Sequence, residues 1–94
     1  MGEALGSFAH EVEDLRAMLL AQLQGCRNEQ AMRLRLRARC TCDARAFWHL
    51  RPRLMQAVAA EHGEVQARRS VAALDAVLRR HWPEAPVSRP APLR

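Results

Sequence analysis

Met32-Arg-Leu-Arg-Leu-Arg-Ala-Arg-Cys-Thr-Cys42 is the stretch whose reading decides the fold. Its alternation is strict, and a period of two reads by pattern alone as a half-buried strand. The residue types oppose that. Met, Leu, Ala and Arg are good helix formers, and Thr41 is the only β-branched side chain in the run. A strand also needs a neighbour, and no second strand candidate exists along the chain, so a strand here would have to pair with another molecule. The stretch therefore reads as a helix, on which Met32, Leu36 and Cys40 share the apolar face. Phe47, Leu50 and Leu54 continue that face, with Asp43 interrupting it.

Before this stretch lies the clearest periodicity. Leu5, Phe8, Val12, Leu15, Leu19, Gln22 and Cys26 are spaced alternately three and four apart, a heptad seam with one polar interruption. Ala9, Met18 and Leu23 widen it, and Glu11, Asp14 and Gln24 hold the opposite face. Acidic residues gather in the early turns, where the helix dipole favours them. The spacing predicts a helix over 4–24, weakened at its far end by Gly25. Asn28 followed by Glu29 offers a cap for a new helix.

Beyond the stretch, Asp43 can cap a segment 44–62 that buries Phe47, Leu50, Leu54, Ala57 and Val58. Pro52 lies inside it and lacks the amide hydrogen a helix interior needs, so a kink or a restart is expected there. Gly63 is a natural stop. A last helix over 64–82 presents Ala67, Val71, Leu74, Leu78 and Trp82 on one face and ends before Pro83. Residues 83–94 hold four prolines and no periodicity, so a flexible tail is expected. The expected fold is all-α: an antiparallel helical hairpin or three- to four-helix bundle with a coiled-coil-like first helix. One domain over 1–82 and the Pro-rich tail over 83–94 complete it.

Composition narrows the function classes. A chain of 94 residues with two Trp, two Phe and no Tyr has few large anchors for its core. Domains this small are marginal unless a metal or a partner adds burial. All fifteen basic residues are Arg, and Lys and Ile are both absent. A GC-rich coding sequence accounts for both absences, whereas phosphate recognition would not remove Ile. Charge is segregated. Residues 1–26 carry four carboxylates against Arg16, and residues 27–53 carry eight Arg against Glu29 and Asp43. Such asymmetry favours docking of the acidic first helix on the basic segment, within the chain or between copies. No basic leader or long apolar run points to secretion or a membrane, and three cysteines without a signal peptide suit an intracellular, reducing compartment.

Several residue sets are candidates for chemistry. Cys26, Cys40, Cys42 and His49 are the right ligand types for zinc. Residues two apart on a helix point about 200° away from each other, so Cys40 and Cys42 could share an ion only on a strand or loop. No metal or other cofactor is expected. Arg33, Arg35, Arg37, Arg39, Arg45, Arg51 and Arg53 could contact nucleic acid or an acidic partner, with Phe47 or Trp48 available for stacking. They spread around the helix rather than forming one stripe, and no nucleic-acid-binding signature accompanies them. No nucleophile motif or Gly-rich phosphate loop is present, and the four histidines fall in separate segments, so no enzyme is expected. The sequence reads as a protein-interaction module: an adaptor, small complex subunit or chaperone-like binder, homo- or hetero-oligomeric. Its expected partner-binding residues are Leu5, Phe8, Val12, Leu15, Leu19, Leu23, Trp48 and Trp82. The rival reading is an Arg-rich nucleic-acid binder using 33–53.

Overall fold

The computed structural model describes the backbone of residues 2–84 and the side chains of residues 10–84. Among the described residues five helices follow one another: α1 (Gly2–Gln22), α2 (Glu29–Cys40), α3 (Ala44–His49), α4 (Arg51–His62) and α5 (Glu64–His81). The described residues contain no strand, and the alternating stretch is helical as far as Cys40, as its residue types favour, with Thr41 and Cys42 in the connection that follows. The expected tail over 83–94 lies almost wholly outside the described residues.

Each helix boundary has a local cause. Asn28 caps α2, its Oδ1 accepting from the Ala31 amide at 2.9 Å, and its Nδ2 donates to the Ala57 carbonyl at 2.9 Å. One side chain thereby starts α2 and ties it to α4. Asp43 caps α3 by accepting from the Arg45 amide at 3.0 Å. The segment expected over 44–62 is two helices, broken at Leu50. Leu50 closes α3 and opens α4, which places Pro52 in the first turn of α4, where a missing amide hydrogen costs nothing. Gly63 alone joins α4 to α5, at φ 91° and ψ 171°, a backbone region that residues with a Cβ avoid.

Packing gathers these helices around a single core. α5 lies against α4 and α1, α2 against α4 and α1, and α3 against α1 and α5. Leu15, Leu19, Leu23, Phe47, Leu54 and Leu74 are wholly buried in that core. Each such side chain contributes about 1.5–3 kcal/mol by leaving water. The Cα framework measures 44 × 37 × 15 Å. Every helix keeps exposed residues on one face.

α2 is turned the other way from the sequence expectation. Ala31, Leu34 and Ala38 point into the core, whereas Met32 and Leu36 are 57% and 64% exposed and Cys40 is exposed as well. Ala31 and Ala38 are small enough to let α2 lie near α1 and α4, and Leu34 is the one large side chain that α2 buries. A face of Met, Leu and Cys would hold α2 further out.

Candidate functional site

Arginine has several different jobs in this fold. Arg35 reaches from α2 to the end of α1, its Nη2 donating to the carbonyls of Leu23 and Cys26 at 2.7 Å each. Arg16 does the reverse from α1, donating to the carbonyls of Ala38 at 3.0 Å and Thr41 at 2.6 Å at the end of α2. Each helix therefore supplies the cation that the other's C-terminal dipole attracts. This exchange ties α1 to α2 alongside their apolar packing. The expected pairing of α1 carboxylates with the basic segment is absent among the described residues, where Glu13 pairs with Arg16 and Asp14 with His81 of α5 at 2.9 Å.

Arg51 is buried. Its Nε lies 2.7 Å from Oδ1 of Asp75, Nη2 donates to Oδ2 at 3.0 Å, and the guanidinium carbon sits 5.2 Å from the Trp48 ring centroid. Arg45 stands over Trp82 in the same manner at 5.3 Å. Trp48 and Trp82 are both half-buried. Of the seven arginines read as one series, Arg35, Arg45 and Arg51 thus serve the fold.

Arg33, Arg37, Arg39 and Arg53 remain, all exposed. Arg33, Arg37 and Arg53 converge on a cleft of about 380 Å³ between α2 and α4, which Leu36, Gln30 and Gln56 also line. Arg33 carries a surface ion pair with Glu29 at 2.7 Å, both side chains about three-quarters exposed. Pairs of that kind contribute little and exchange readily. At about 100° per residue, Met32, Leu36 and Cys40 form a ridge opposite the buried face, with Arg33 and Arg37 along one flank and Arg35 and Arg39 along the other. Three large apolar side chains are exposed among the described residues, and two of them, Met32 and Leu36, stand on this ridge. The third is Val65 on α5.

The other expected site residues fall elsewhere. Val12, Leu15, Leu19 and Leu23 are buried by the chain's own helices, so this part of the heptad seam is internal packing and not a free docking stripe. The side chains of Leu5 and Phe8 lie outside the described residues. Cys26 is buried beside the α1–α2 turn, while Cys40 and Cys42 are exposed at the α2–α3 connection. Among the described residues no three His, Cys, Asp or Glu side chains come together as metal ligands. Burial pushes the Cys26 thiol pKa up, the Glu61 carboxylate adds to this, and Arg35 opposes it. No described helix is long and apolar enough to cross a membrane.

The outward ridge is the feature that sequence reading placed on the wrong side of the helix. The three residues were visible as a stripe; their exposure was not. No known protein family, curated protein or solved structure matches the chain.

Proposed function

We propose that this chain is a non-enzymatic protein-interaction module, an adaptor or small subunit of a larger assembly, that docks a partner on the outward ridge of α2. The observation that carries this reading is the exposure of Met32 and Leu36 in line, one helical turn apart and fringed by arginines. An aligned apolar pair leaves water only when a second surface covers it, and arginine is a residue type that interfaces favour. The scaffold is read as a helical bundle in which α4 and α5 pair antiparallel and α1 and α2 pack across them. The docking surface moves accordingly from the α1 seam to α2.

A nucleic-acid reading draws on the convergence of Arg33, Arg37 and Arg53 at one cleft. It explains less. Phosphate gives no reason for Met32 and Leu36 to be exposed beside those arginines, and no aromatic ring lines the cleft for a base to stack on.

The test is recovery of the tagged full chain from its native source, with and without nuclease, beside Leu36→Glu and Val65→Glu. A bound protein that survives nuclease and Val65→Glu but is lost with Leu36→Glu supports the reading. A protein retained by Leu36→Glu refutes the docking surface. Loss on nuclease treatment alone favours nucleic acid instead.

A further inference from the structure

Resting on that reading, we infer that the occupant of the α2 ridge is an acidic amphipathic helix from a different chain. The ridge is about 12 Å long from Met32 to Cys40, at 1.5 Å per residue. That length faces two to three apolar side chains of a partner helix laid along it. Positions on either side of the partner's apolar seam would then stand over exposed guanidiniums: Arg33 and Arg37 on one flank and Arg39 on the other, Arg35 being held by the carbonyls of Leu23 and Cys26. Carboxylates flanking an apolar seam answer that pattern, and Arg–carboxylate contacts are directional as well as strong. Arg53 of α4 adds a third guanidinium to the first flank and deepens it into the cleft, where Gln30 and Gln56 supply further donors.

Charge also selects against the other occupants. A second copy of this chain would bring the same net charge of +5, and its α1 carboxylates Glu13 and Asp14 are already held by Arg16 and His81. Nucleic acid would satisfy the arginines but cover Met32 and Leu36 with charged backbone, which gains nothing from them. An acidic helix with an apolar seam uses both parts of the surface.

The experiment uses the full chain and fluorescently labelled probes. These are a capped helical peptide of about 18 residues with a Leu seam flanked by Glu, its Glu→Gln and Glu→Lys counterparts, and a single-stranded oligonucleotide. Anisotropy titrations should show binding of the Glu peptide, weaker binding of the Gln peptide and none of the Lys peptide. Leu36→Glu and Arg37→Glu, both on the exposed face and checked for unchanged circular dichroism, should each weaken the Glu peptide by about tenfold or more. Raising salt to about 0.5 M should weaken it too. Equal binding of the Gln peptide, or no binding of any peptide, overturns the inference. So does an oligonucleotide that binds more tightly than the Glu peptide and ignores Leu36→Ala. If the native partner is lost with Leu36→Glu while the Glu peptide fails, the docking surface stands and its acidic occupant falls; if both experiments fail, both readings fall.

Discussion

Replacing Leu34 and Leu36 separately by Ala tests the orientation of α2, on which the proposed docking surface depends. Leu34 is 2% exposed and stands between Ala31 and Ala38 on the face toward α1 and α4. Truncation there removes buried methyl groups and leaves a cavity that two flanking alanines are too short to fill. Leu→Ala changes at such sites cost about 3 kcal/mol, within a range of about 2–5. Leu36 is 64% exposed, so its truncation gives up little burial, and Ala is the better helix former. Its cost should stay within about 0.5 kcal/mol. For a domain of this size, about 3 kcal/mol corresponds to a fall in Tm of about 12–24 °C. Urea unfolding followed by far-ultraviolet circular dichroism measures both variants directly. The reasoning fails if Leu36→Ala costs as much as Leu34→Ala, because Met32, Leu36 and Cys40 would then be the packed face and no ridge would exist.

Four further outcomes follow from particular contacts. Asp75→Ala should destabilise by about 2–3 kcal/mol because it leaves the Arg51 charge buried without its partner, while Arg51→Met should cost only about 1 because it removes the buried charge and leaves behind a carboxylate, Asp75, that is 25% exposed and reaches water; equal costs in urea unfolding would contradict this. Gly63→Ala meets no atom within 4 Å of its new Cβ, so its cost is backbone strain alone, about 1–3 kcal/mol, and an unchanged midpoint would show that the joint can relax. The backbone amide of Arg27 donates to Glu61 at 2.7 Å and lowers its carboxyl pKa, against an opposing effect of desolvation and with further help from Asn28. That stabilisation is present above the ordinary carboxylate range and lost as pH falls through the lowered pKa, so Glu61→Gln should flatten the acid limb of a stability–pH profile; an unaltered limb would refute it. A thiol–disulfide reagent should label Cys40 and Cys42 quickly and Cys26 only on unfolding, since Cys26 is 1% exposed with a raised pKa, and three fast thiols would count against the buried placement.

How far the sequence could be read depended on whether a residue acts locally or through packing. Asn28, Asp43 and Gly63 each impose a backbone geometry on their immediate neighbours, and each stands at the boundary its chemistry suggests. Pro52 announced a break, and the break came at Leu50, a position that leaves proline in a first turn. Spacing also identified Val12, Leu15 and Leu19 as an apolar stripe, but not that the chain itself would cover it. α2 resisted because two stripes compete on it. Hydrophobicity ranks Met32, Leu36 and Cys40 above Ala31, Leu34 and Ala38, yet close approach to α1 and α4 rewards the smaller set. The helix ends reinforce the choice. With Ala31, Leu34 and Ala38 inward, Arg35 lies about 70° from the centre of the buried face, close enough to reach the carbonyls of Leu23 and Cys26. Turned the other way it would lie about 100° from that centre and lose them. A local sequence pattern holds no record of a carbonyl on another helix, so the tertiary contact that orients α2 could not be read from it. The same contacts reduce the charge open to a partner. Arg35 and Arg51 are spent on Leu23, Cys26 and Asp75, and Arg45 on Trp82. The arginines left over on α2 and α4 stand beside the side chains that packing rejected. A partner docked on the proposed surface would therefore have to satisfy guanidinium and hydrocarbon together, which is a demand that carboxylates on an apolar helix meet and a phosphate backbone does not.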